Sequence, residues 1–125
     1  MIHSLSKKER ICSVKAIDEL VAHGHYVTVW PIRCCYALRK PSEDNQLTLN
    51  RIVTSVPKRF FKRAVKRNLL KRRMREAYRL QKQLLPADAS VDMMFVYMTK
   101  ELAEFDKVSA AIEKILRGIN ENIRK

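Results

Sequence analysis

No glycine and no proline interrupts the chain from Phe61 to Leu85, and good helix formers fill the stretch. A helix of about 20 to 25 residues, roughly 30 to 38 Å long, is the backbone solution that such a run dictates. Pro86 stops it. Eleven basic side chains lie between Lys58 and Arg79, against the single acid Glu76, so this segment holds +10 of the formal +13. The other 103 residues carry 15 basic and 12 acidic groups, an ordinary surface balance. Excess charge concentrated in one element is an electrostatic footprint for a polyanion, because each neutralised phosphate releases condensed counterions. Merely solvated helix faces mix their signs.

With 125 residues, 46% of them hydrophobic, the chain forms one folded domain spanning residues 1–125 rather than a disordered basic tail. Met1 to Lys8 shows no apolar leader, and no stretch approaches the roughly 20 apolar residues of a membrane span, so a cytoplasmic protein without membrane association is expected. Cys12, Cys34 and Cys35 are odd in number, and the last two point to opposite faces of a strand, which argues against a disulfide framework.

Ser13 followed by Ala16, Ile17, Leu20 and Val21 reads as an N-cap and an amphipathic helix, with Gly24 as its C′ residue. Tyr26 to Trp30 is β-rich and meets a bend at Pro31, and in Ile32 to Leu38 the side chains of Ile32, Cys34, Tyr36 and Leu38 share a face. A polar connection, Arg39 to Gln46, leads to Leu47–Val56, and the two runs suggest an antiparallel pair closed by Pro57. Val91 to Thr99 is a buried strand, and Asp106 caps a last helix with Val108, Ala111, Ile112, Ile115, Ile119 and Ile123 on one side. The order is αβββαβα if the region before Pro31 is a strand, and αββαβα if it is not.

On a helical wheel Leu69, Leu70, Met74, Ala77, Leu80 and Leu84 share the side expected to pack on the sheet, with Lys66 and Arg73 at its ends or snorkelling. The opposite arc carries Arg67, Lys71, Arg75 and Arg79 at i, i+4 steps, with Asn68 and Arg72 beside them. Like charges at this spacing repel by a few tenths of a kcal/mol per pair. A phosphate backbone offsets that, since guanidinium forks take phosphate oxygens bidentately and an amide reaches base edges or sugar hydroxyls.

The run Ala64-x-x-Arg67-Asn68-x-Leu70-Lys71-Arg72-x-Met74-Arg75-Glu76-Ala77-Tyr78-Arg79 resembles the signature of the protein subunit of bacterial ribonuclease P. The flanks fit as well: His23-Gly24 after the first helix, Tyr36-x-Leu38-x-x-Pro41, and Arg51-x-x-x-Ser55-Val56-x-Lys58. Leu69 stands where the family's Arg-Asn-Arg core has its second arginine, Phe60-Phe61-Lys62-Arg63 replaces a usual glycine, and Ile17 and Val21 occupy aromatic positions of the first helix. The resemblance implies an α+β fold, an α/β sandwich with the left-handed βαβ crossover of the ribosomal protein S5 domain 2-like class. It implies a ribonucleoprotein endonuclease that removes the 5′ leader of precursor tRNA, in which a catalytic RNA performs the hydrolysis with Mg2+ at its own active site. The polypeptide then carries no catalytic residue, metal or cofactor. Lys58, Arg59, Arg67, Asn68, Lys71, Arg72, Arg75 and Arg79 would bind RNA, and Ile17, Val21 and Tyr36 would line a leader cleft between the first helix and the sheet.

The residues themselves support a non-catalytic polypeptide. A protein nuclease needs clustered carboxylates for two metals or a histidine pair for acid and base work. Here Asp92 is a lone strand acid, Glu43 and Asp44 fall in a polar loop, and His23 and His25 straddle Gly24 at a helix end. A ribosomal-type structural protein or RNA chaperone would share the basic helix. A DNA reader would need a dimerising heptad or a helix-turn-helix beside it, and neither is present.

Overall fold

Residues 91–97 are apolar at six of seven positions, a composition that suits a strand covered on both faces. The computed structural model, which describes residues 14–38, 50–85 and 91–124, places them so. The elements are α1 (Val14–His23), β1 (His25–Val29), β2 (Ile32–Leu38), β3 (Arg51–Ser55), α2 (Ala64–Gln81, continued by a 3-10 turn Lys82–Leu84), β4 (Val91–Tyr97) and α3 (Phe105–Arg124). The region before Pro31 is therefore a strand, and the order is αβββαβα.

One sheet runs β1-β2-β4-β3. β1 and β2 form a hairpin through Trp30 and Pro31, so Pro31 turns the chain rather than bending a strand; the peptide bond between these two residues is cis. β2 and β3 do not pair, contrary to the expectation from their sequence proximity. The apolar β4 inserts between them, antiparallel to β2 and parallel to β3, because it gains most from a position where both faces are covered. Parallel neighbours need a crossover, and α2 is that connection.

The register sorts the side chains into two layers. Ile32, Cys34, Tyr36, Ile52, Val91, Met93, Phe95 and Tyr97 face α2 and α3 and build the main core with Leu70, Met74, Tyr78, Ile112, Ile115, Leu116 and Ile119. Tyr26, Thr28, Arg33, Cys35, Ala37, Arg51, Val53, Ser55, Asp92, Met94 and Val96 face the other way, where α1 sets Leu20 and Ile17 against Cys35, Ala37, Val53 and Met94. Cys34 and Cys35 are both free and buried, one in each layer.

Two of the sheet's side chains hold the end of α1. The Cys35 thiol lies 3.1 Å from the Leu20 carbonyl and the Tyr26 hydroxyl donates to the Val21 carbonyl at 3.1 Å, satisfying oxygens that a helix end leaves open. Gly24 adds a backbone bond to Leu20 O at 2.8 Å. It is not in the left-handed conformation expected of a C′ glycine. Its reason is space: a Cβ there would lie 2.5 Å from Leu20 O and 2.6 Å from Cys35 Sγ. Ser13 and Pro86 lie outside the described residues. Asp106 falls inside the first turn of α3, whose leading amides instead bond the Glu104 carbonyl, so the acid favours the positive helix end without capping it.

Candidate nucleic-acid interface

α2 buries Leu70, Met74, Ala77 and Tyr78, not the stripe through Leu69 and Leu80. Tyr78 packs its ring on Phe95 with centroids 6.1 Å apart, while Leu80 is 39% exposed. The helix is thus turned by roughly half of its 100° step relative to the face that leucine positions alone suggest. The wheel overlooked Tyr78 because a tyrosine can sit on either surface, whereas an aromatic ring with a cross-layer partner buries far more area than a leucine tip.

That rotation redistributes the cations. Asn68 and Arg72 stand outermost on α2, and Lys58 and Arg59 are exposed on the turn that precedes it. Arg67, Lys71, Arg75 and Arg79 run along the flank, half-buried. Arg67 binds its own approach loop, donating to the carbonyls of Phe61 and Lys62 at 2.8 Å each. Arg79 is paired with Glu76. Arg73 reaches across the layer to the Ala103 carbonyl, and Lys66 is exposed near the helix start. Lys62 and Arg63, not singled out from the sequence as contacts, are exposed at the same end. The first turn of α2 contains no acidic side chain, so the cations and the positive helix end add together.

The arrangement concentrates positive charge on α2 and the turn that leads into it. Among the described residues no three of His, Cys, Asp and Glu gather where they could hold a metal ion. Asp92, the strand acid, is engaged by Arg51 through two 2.8 Å bonds. Among the same residues no helix is long and apolar enough to cross a membrane.

Residues 5–120 match the family model for ribonuclease P. The chain belongs to the ribonuclease P protein family. It is 35% identical over 124 residues to the ribonuclease P protein component of Porphyromonas gingivalis strain W83, covering 95% of this chain and 88% of that protein. The corresponding protein of Borrelia hermsii is 34% identical over 113 residues, covering 87% and 92%. In fold the chain is similar to the RNase P proteins of Staphylococcus aureus, with a TM-score of 0.71 at 21% identity and coverage of 89% and 94%, and of Thermotoga maritima, with 0.72 at 21% identity and coverage of 88% and 96%.

The leader cleft that the ribonuclease P resemblance implies does not assemble from Ile17, Val21 and Tyr36 as one groove. Ile17 is half-buried against the α1 layer and Val21 is 44% exposed, but Tyr36 belongs to the opposite face of the sheet. Tyr36 is 7% exposed, and its hydroxyl accepts a 2.8 Å bond from the Asn122 amide. Strand alternation is the reason: Cys35, one step away, is the residue that meets α1. Tyr36 does border an open pocket of about 500 Å³ at the sheet edge, lined also by His23, His25, Leu38 and Asn122.

Proposed function

We propose that this chain is the RNA-binding subunit of a ribonuclease P ribonucleoprotein, that it partners a large catalytic RNA, and that it contacts the 5′ leader of precursor tRNA while the RNA removes it. The carrying observation is membership of the family together with a cationic α2 that the core beneath holds in one register, with Asn68 and Arg72 outermost and Lys58 and Arg59 exposed on the turn before it. The part of this chain is electrostatic and geometric. Guanidinium and amide groups on α2 position RNA phosphates and sugars, and the RNA supplies the catalyst with its own Mg2+.

The test is precursor tRNA cleavage at low salt by a candidate large RNA, with and without the purified protein. Faster leader removal on adding protein supports the reading. Binding without acceleration favours a structural or chaperone role. Metal-dependent cleavage by rigorously RNA-free protein would overturn the assignment of catalysis to RNA.

A further inference from the structure

Trp30, the chain's one tryptophan, stands 58% exposed at the turn between β1 and β2, and Leu102, beyond β4, is 45% exposed. The two border the same open groove of about 360 Å³. Its walls are fixed by hydrogen bonds. Met98 N donates to the Pro31 carbonyl at 2.8 Å, which ties the Trp30 turn to the end of β4. Beneath the Leu102 wall the Tyr97 hydroxyl accepts a 2.8 Å bond from Ala103 N and donates to the Glu101 carbonyl, while Arg73 of α2 holds the Ala103 carbonyl. Single exposed apolar side chains are ordinary on any surface, but a tryptophan and a leucine held over one fixed hollow have the make-up of an anchor pocket. The rim is acidic on a chain whose formal charge is +13: Glu101 to Asp106 carries three acids and no base, and Glu101, Glu104 and Asp106 are all exposed beside the groove. Among the described residues none of these three carboxylates takes part in an ion pair.

We propose that this groove docks a basic segment of another protein, with an apolar side chain of that segment seated between Trp30 and Leu102 and its Lys or Arg residues paired with Glu101, Glu104 and Asp106. Charge chooses the occupant. The rim carboxylates repel the phosphates that the cations of α2 would attract, so nucleic acid is turned away here. A second copy of the chain brings +13 against +13 and is repelled over most of its surface. A short cationic segment meets only the rim, and its charged groups can also lie over the Trp30 ring. Because the groove is held in place before anything enters it, docking orders little on this side. The site is independent of the RNA-binding reading above and stands or falls without it.

The single tryptophan makes the groove its own reporter. The experiment titrates the full chain, at one fixed salt concentration, with a short synthetic peptide rich in Lys and Arg around a central leucine, and with the same peptide carrying serine in the leucine's place. The leucine peptide should shift Trp30 emission to shorter wavelength and saturate, and the serine peptide should bind about fivefold or more weakly. Leu102→Ser, and separately Glu101→Gln combined with Glu104→Gln, should each weaken binding of the leucine peptide about fivefold or more while leaving the melting temperature nearly unchanged. Absence of a saturable shift overturns the site. So does equal binding of both peptides by wild type and Leu102→Ser, which would reduce the interaction to attraction between opposite charges. An RNA that produces the same shift without peptide gives the groove to nucleic acid and overturns the proposal. A shift that grows with protein concentration alone, and is lost in Leu102→Ser, gives it to a second copy and overturns the proposal as well.

Discussion

Arg51 and Asp92 are register partners across the parallel β3–β4 ladder, and their side chains meet through two bonds of 2.8 Å. The pair stands where the strand order least resembles the sequence order, locking β3 onto the strand that separates it from β2. Asp92→Ala removes both of these bonds from a partly buried guanidinium, and urea unfolding should show a loss of about 2 kcal/mol, with Asp92→Asn losing less. The folded variant should keep the salt-dependent binding that α2 provides, because neither side chain lies on α2.

Removing both Lys71 and Arg75 should weaken RNA binding through salt-dependent contacts. With about five or six phosphates neutralised, log K against log salt should have a slope of roughly −3.5 to −5.5, and Lys71→Ala with Arg75→Ala should flatten it by about one to two units. An unchanged slope would take the flank of α2 out of the interface.

Glu76 should oppose that binding. The hydrogen bond from Arg79 holds its carboxyl below the ordinary carboxylate range, so the pair stays ionised throughout the neutral region and is lost only as pH falls through the lowered value. Glu76→Gln removes the single carboxylate of α2 and should tighten RNA binding and steepen the salt slope by up to about 0.9. Filter binding across a salt series checks the sign, and weaker binding would show that Glu76 orders the helix instead.

Tyr36 should behave as a core residue. Tyr36→Phe removes the bond from Asn122 and should cost about 1 kcal/mol, whereas Tyr36→Ala should cost about 3 to 5 kcal/mol. Any loss of affinity should be the same for precursor and mature tRNA. A selective loss for precursor would place the leader in the pocket beside His23 and His25.

Gly24→Ala should destabilise by about 1 to 3 kcal/mol, because its methyl meets a backbone oxygen and a thiol at once. Adding Cys35→Ala removes the sulfur but not Leu20 O, so a melt of the double variant should recover only part of the loss.

The elements were legible because their signals are local. Pro31 separates β1 from β2, an uninterrupted run makes α2, and isoleucine spacing makes α3. Strand neighbours were not, since pairing depends on which strand gains most from double burial, and the β4 residues that decide it lie more than thirty positions beyond β3. The basic helix and its family were readable from Arg67, Asn68, Lys71 and Arg72, but the rotation of α2 was set by Tyr78 against Phe95, a contact between distant segments. Tyr26 lies in a β-rich stretch where tyrosine is ordinary, and only the packing of α1 on the sheet brings its hydroxyl to the Val21 carbonyl.

The central position of β4 bears on the birth of the molecule. A nascent chain that has emerged only as far as α2 has its hairpin and β3 but not the strand that joins them, so β2 and β3 each keep an open edge and α2 has no Phe95 or Met93 beneath it. Ribosome-bound chains arrested before Val91 should therefore be protease-sensitive and prone to edge pairing, and the charged surface of α2 should acquire a fixed presentation only when synthesis has passed Tyr97.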